Sequence, residues 1–359
     1  MMDHEYLKID GSFGEGGGSI LRISAAFSVL YNQPIKITNI RANRPKPGLR
    51  LQHLLGLKTL ADLTGSKLFS PEGKIQIGTD KLVFEPTSKF KDRIIVNIDT
   101  SASIGLLLQP IQIACLGFFN PEKIEIKLNG GGTFGKWAPS LNYLANVTYQ
   151  IYRMAGIKIN IDIKKYGFFP KGGAQTVCSI YLPKSKLRPI NLLELGNINN
   201  INGEIILSNH LKKNGRDIES RIKKSISSEL QKYDKFNINI AHEWVDSISP
   251  GVGLSLWSNS DTGAIISSGT ILGEKQISSE KLGKIASYEL LKYIKNKIPV
   301  DNYLSDQLIP LIAYIKESSS IKVSEITMHT KTNLELIKLF THRKFEIKKG
   351  DACYVIKFE

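Results

Sequence analysis

The chain has 359 residues, 42% of them hydrophobic, enough for a large buried core and, by length, about two domains. Lys and Arg number 48 against 33 Asp and Glu, and the net charge of +15 suits a polyanionic partner, nucleic acid ahead of a membrane. No apolar run reaches membrane-spanning length and the charged start is unlike a signal peptide, so a soluble, cytoplasmic protein without a membrane role is expected.

The first element is an apolar strand over 6–9, followed by Gly14-Glu15-Gly16-Gly17-Gly18 and a helix over 19–31 that carries Arg22. Successive glycines before a helix leave backbone N–H groups bare for a phosphate, and Glu15 could hold a divalent cation beside it. The run lacks the Gly-Lys-Ser/Thr of a Walker A loop and the spacing of a dinucleotide fingerprint, and taken alone it reads more readily as a plain tight turn. A strand over 34–40 then leads to a loop over 41–50. Arg41, Arg44, Lys46 and Arg50 lie there, stiffened by Pro45 and Pro47, before a helix over 51–63 that begins with Gln52 and His53. Arginine forks match phosphate geometry, so this loop is a candidate anion clamp.

The same order of helix, strand, loop and helix recurs twice. The second copy takes 104–118, 124–128, 129–139 and 140–155. Its loop, Gly130 to Pro139, is again Gly-rich and includes Lys136 and Trp137. It could line a nucleotide or RNA groove through N–H groups and stacking, or be a flexible turn. The third copy takes 302–316, 321–326, 327–332 and 333–340. Its loop carries His329, whose neutral imidazole could attack a phosphorus atom. Its first helix opens with Asn302, Tyr303, Leu304, Ser305, Asp306 and Gln307, which could stack on a base and bond its edge, or simply form a capped helix start.

Between residues 184 and 275 the rhythm breaks. Strands near 204–207, 238–242, 253–258 and 264–272, with a basic helix over 213–232, read as a small α+β unit inserted in the third copy. The expected fold is therefore α+β. Residues 1–184 and 276–359 would form a large catalytic domain of three repeated sheet-plus-two-helix units, and 185–275 the insert. Cys115, Cys178 and Cys353 are far apart and the six histidines are not clustered, which argues against disulfides and zinc. Any metal would be a hard cation on carboxylates, phosphates and water.

Several blocks in this order resemble the RNA 3′-terminal phosphate cyclase family. They are Gly14-Glu15-Gly16-Gly17-Gly18 with Ile20-Leu21-Arg22, Ile40-Arg41-Ala42 with Arg44 and Lys46-Pro47-Gly48-Leu49, Gln52-His53-Leu54, Tyr303-Leu304 with Asp306-Gln307, and His329 with Thr332-Asn333. The segment Tyr166 to Ala174 is similar to the family's Gly-x-x-Pro-x-Gly-Gly signature, with Tyr166 where Arg or His is usual and Ala174 in place of a third Gly. The resemblance implies three four-strand, two-helix units with an inserted α/β domain. It implies an ATP-dependent ligase that turns an RNA 3′-phosphate into a 2′,3′-cyclic phosphate through histidyl-AMP and RNA-adenylate intermediates. By the same resemblance His329 is the nucleophile, Glu15 a ligand of Mg²⁺ or Mn²⁺, and Arg22, Arg41 and Arg44 the phosphate-neutralising groups. Gln109 and residues 302–307 would form the adenylate pocket. A ribosome-assembly branch of the same fold, RNA-binding but without the catalytic His, is the alternative, and His329 counts against it. The oligomeric state cannot be read from the sequence.

Overall fold

A computed structural model describes residues 5–14, 16–87, 89–212 and 217–359. Glu15 lies outside the described residues. The first repeat runs β1 (Leu7–Asp10), α1 (Gly18–Leu30), β2 (Ile35–Thr38), α2 (Leu51–Thr64), β3 (Lys67–Phe69) and β4 (Leu82–Glu85). Its sheet has the order β1-β2-β4-β3, with β1 parallel to β2 and the other pairs antiparallel. A helical crossover joins the parallel pair and a return strand closes the edge, as parallel pairing requires.

The second repeat has the same plan. It runs β5 (Arg93–Ser103), α3 (Ile104–Ala114), β6 (Lys123–Gly132), α4 (Leu141–Tyr143), a π turn (Leu144–Thr148), α5 (Tyr149–Ala155), β7 (Lys158–Lys165) and β8 (Gln175–Tyr181), ordered β5-β6-β8-β7. After β9 (Asn191–Leu192) the third repeat is interrupted by β10 (Asn200–Ser208), α6 (Ile218–Gln231), β11 (Asn237–Val245), β12 (Val252–Asn259), β13 (Ile265–Ser267), β14 (Ile271–Leu272) and α7 (Ser279–Lys295). It resumes with α8 (Asn302–Tyr314), β15 (Ser319–Val323), α9 (Met328–Phe340), β16 (Phe345–Lys349) and β17 (Tyr354–Phe358). Its sheet, β9-β15-β17-β16, repeats the order of the other two. The fold is α+β.

Helices of the three repeats meet at the centre. α1 packs on α2, α3 and α9, and α8 packs on α9 and α3. Every residue of α1 from Ser19 to Val29 is buried, as expected of a helix enclosed on all sides. The interrupting segment builds a separate sheet, β11-β10-β12-β13 with β14 on β12. α6 buries Ile222, Ile226 and Leu230, four residues apart, and packs against α7, which also covers β12, β13 and β14. The 185–275 segment read from the sequence includes β9 and omits α7, whereas β9 pairs with β15 of the third repeat and α7 covers the inserted sheet.

Cys115 and Cys178 are buried and Cys353 is partly buried, all as free thiols, and desolvation raises the Cys115 and Cys178 thiol pKa values. Among the described residues no helix is long and apolar enough to cross a membrane.

Candidate active site

The N-cap of α1 is Gly17, which has no side chain to accept a hydrogen bond from the first N–H groups of the helix. One turn in, Arg22 is buried and its Nε donates to Gln109 Oε1 of α3 at 3.0 Å. The buried His53 comes from α2 and its Nδ1 accepts the Arg50 backbone N–H at 3.3 Å, which leaves the proton of the neutral ring on Nε2. Burial first, then the charges of Arg22, Arg41 and Arg50, push the His53 pKa down to about 3, so the ring is neutral among cations at pH 7. A Cβ on Gly18 would collide with this imidazole and come within 2.7 Å of Arg22 Nη1. Glycine is required there to let helix, imidazole and guanidinium share the space.

The loop after β2 is tightly folded. Gly48 N–H donates to Ile40 O at 2.8 Å and Arg44 N–H to Arg41 O at 3.0 Å. Arg41 takes a left-handed φ of 56° and its Nη2 donates to Lys46 O at 3.4 Å. Arg41 and Arg44 are half-buried, unlike a solvated basic loop.

His329 lies in the first turn of α9, not in a loop. The helix begins five residues earlier than expected, because Thr327 caps it by accepting the Thr330 N–H at 2.9 Å. Asp306 of α8 accepts the hydroxyls of Thr327 at 2.5 Å and Thr330 at 2.8 Å, and Asn333 Nδ2 donates to Asp306 O at 3.0 Å. The Gly-rich turn reaches the same helix. Gly14, at φ 66°, lies so close to Thr332 Oγ1 that no Cβ fits. Thr332 sits almost one helical turn beyond His329.

This convergence of the first and third repeats is matched by similarity to known proteins. A family model described as RNA 3′-terminal phosphate cyclase matches residues 13–347. The chain belongs to this cyclase family. It is 36% identical over 340 residues to the RNA 3′-terminal phosphate cyclase of Thermococcus onnurineus, covering 95% of each chain. It is 37% identical over 342 residues to that of Pyrococcus furiosus, again 95% of each, and 34% identical over 354 residues to that of Pyrobaculum aerophilum, 98% of each.

The residues of the family-like block at 302–307 divide by burial. Tyr303 is 49% exposed, its ring edge-on to Tyr143 at 6.2 Å and pressed against Gly269 of the inserted segment, where a Cβ would overlap it. Asn302 donates to Glu325 and accepts from Ser324 Oγ at 2.7 Å. Leu304 is in the core, Ser305 Oγ donates to Asn302 O at 2.8 Å, and the buried Gln307 accepts from Gln112 at 3.3 Å. Among the described residues no group of three or more His, Cys, Asp or Glu side chains could hold a metal ion.

The second Gly-rich stretch, open from the sequence between a groove lining and a plain turn, begins inside a strand. Gly130–Gly132 belong to β6, and their neighbourhood spends its donors inside the fold: Gly130 N–H goes to Ala174 O at 2.6 Å and Thr133 N–H to Gly167 O at 2.9 Å. Gly167 and Gly172 of the signature segment abut Gly131 O, with no room for a Cβ at either. In this chain the signature glycines serve backbone packing, and an N–H cradle is absent at those two donors.

The sequence reading missed Asp301. Its fully buried carboxylate caps α8 through Leu304 N–H at 2.9 Å and accepts Tyr143 OH at 2.9 Å and Ser267 N–H at 3.1 Å, joining the second repeat, α8 and the inserted sheet. Burial raises its pKa to about 7 against these three donors, which pull it down. An Asp immediately before a helix was the signal available.

Proposed function

We propose that the protein converts an RNA 3′-terminal phosphate into a 2′,3′-cyclic phosphate at the expense of ATP. The observation that carries this reading is the meeting of α9, at Thr332 almost one turn beyond His329, with the Gly-rich turn that opens α1 and leads to Arg22. An imidazole nitrogen of His329 attacks the α-phosphorus of ATP, the bond to pyrophosphate breaks, and AMP becomes linked to nitrogen. An oxygen of the RNA 3′-phosphate then attacks the adenylate phosphorus, freeing His329. The neighbouring 2′-hydroxyl gives up its proton, attacks the 3′-phosphorus and expels AMP. Dividing the activation into two transfers avoids direct attack of a weak hydroxyl on an unactivated phosphate dianion.

In this proposal Arg22, Arg41 and Arg44 neutralise phosphate oxygens as pyrophosphate leaves. The Arg22–Gln109 hydrogen bond fixes the guanidinium plane, and the neutral His53 fills the space between cations without adding charge. Tyr303, half-exposed and braced on Tyr143 and Gly269, offers a face for adenine, and Asn302 with the rest of 302–307 completes the pocket. A divalent ion, Mg²⁺ or Mn²⁺, would neutralise triphosphate charge. Glu15 is the residue proposed for it, on the strength of its place in the sequence between Gly14 and α1. The division into a large body of three repeats and a small insert belongs to the same proposal.

The test is a reaction of the protein with ATP, Mg²⁺ or Mn²⁺ and an RNA carrying a labelled 3′-phosphate. The expected product resists phosphatase and is accompanied by one AMP and one pyrophosphate per end. A label that stays phosphatase-sensitive with folded protein would overturn the proposal.

A further inference from the structure

Trp137 and Phe169 are the two most exposed large hydrophobic side chains among the described residues, at 90% and 77%. We propose that they form a stacking surface for the unpaired nucleotides that precede the reacting RNA 3′ end. The proposal rests on the cyclase reading and adds to it where the body of the strand lies.

Both side chains stand on firmly held loops. The loop after β6 and the loop between β7 and β8 are joined by Thr133 N–H to Gly167 O and by Phe134 stacked on Phe168, ring centroids 5.4 Å apart and planes 1° from parallel. This buried pair rests on the inserted sheet, where Gly251 and Gly253 leave no space for a Cβ. Lys171 N–H donates to Ser249 Oγ at 3.1 Å and ties the second loop down as well. The two tips are thus held in place by a shared foundation, while their own rings stay in solvent.

Trp137 also takes a left-handed φ of 60°, a costly conformation for a bulky residue. The turn that holds it is closed by Ala138 N–H donating to Gly135 O at 3.3 Å, and the indole is left facing solvent. A lysine accompanies each aromatic: Lys136 Nζ is 5.3 Å from the Trp137 ring centroid and pairs with Glu274 Oε1 at 2.8 Å, and Lys171 is exposed two residues from Phe169. Aromatic faces with interleaved cations fit a single strand, whose bases can splay and whose phosphates need neutralising. A duplex keeps its bases stacked on each other. Stacking on an aromatic face is available to every base, so contact through these rings is tolerant of base identity.

The Trp137 loop is tied to the Tyr303 region through the interior: the buried Ser140, three residues beyond Trp137, donates its N–H to Thr270 Oγ1 at 3.1 Å, and the adjacent Gly269 supports Tyr303. In the proposal a strand with its 3′ end at the site leaves toward this loop.

The experiment compares wild type with the Trp137→Ala, Phe169→Ala double variant, both exposed positions that the fold does not need. Affinity is read without ATP, by anisotropy of 5′-labelled RNA, for a 3′-phosphorylated single strand of about ten nucleotides and for a dinucleotide with the same end. Covalent labelling by ATP is measured alongside. The variant should bind the longer strand about tenfold more weakly or worse, bind the dinucleotide as wild type does, and label normally. Unchanged affinity for the longer strand would overturn the proposal and leave the patch to a protein partner. An equal loss for the dinucleotide would overturn it too. If wild type depends on these residues for the longer strand yet takes no adenylate, the stacking surface stands and the cyclase reading falls.

Discussion

The first and second repeats share one topology and each carries a run of glycines, yet the two runs do different work. In the first, Gly18 opens a helix and the missing Cβ makes room for side chains, His53 and Arg22. In the second, Gly130 sits at φ 94° against the backbone carbonyl of Ile98, and its N–H bonds to Ala174. One glycine makes room for side chains and the other serves a sheet. Copies of a scaffold diverge in their loops, and composition alone does not say which copy kept the chemistry.

Substitution separates the two cases. Gly130→Ala meets both a left-handed φ and a backbone oxygen that cannot move aside, and should destabilise the protein by about 3 kcal/mol or more, read by denaturant unfolding. Gly18→Ala meets side chains instead. It should cost less stability than Gly130→Ala while displacing His53 and Arg22 and lowering adenylation by about a hundredfold. Equal stability losses in the two variants would erase the distinction.

Smaller effects should appear in the pH dependence of stability, which tests the buried groups beside each region. Asp301 has a folded pKa raised to about 7, so the native state holds more protons than the unfolded chain between about pH 4 and 7, and stability falls as pH rises through that window. His53, lowered to about 3, has the opposite sign: its contribution is present above the unfolded value of about 6.5 and is lost as pH falls toward 3. The two oppose each other in wild type. Asp301→Asn should make the thermal midpoint rise more with pH between about 4.5 and 6.5, and His53→Gln should make it rise less or fall, each by a few degrees. Shifts of the reverse sign would reject these assignments.

Much of the scaffold was legible because buried helices and strands impose their periods on the sequence. α1, β2, α2 and α8 lie within a few residues of where apolar spacing puts them. The start of α9 was not legible. Thr327, Thr330 and Thr332 read as loop residues, but their hydroxyls are engaged with the N–H of Thr330, the carboxylate of Asp306 and the carbonyl of Met328. His329, expected in a loop, therefore lies in the first turn of a helix. The role of the glycines at 167 and 172 was hidden for another reason: what they abut, Gly131, lies more than thirty residues away in the chain.

The covalent step at His329 is the centre of the account. Protein incubated with α-labelled ATP and Mg²⁺ or Mn²⁺ should acquire label that is acid-labile and base-stable, as a phosphoramidate is, and His329→Ala should abolish it while retaining the wild-type fold. Undiminished labelling of the His329→Ala protein would contradict the account.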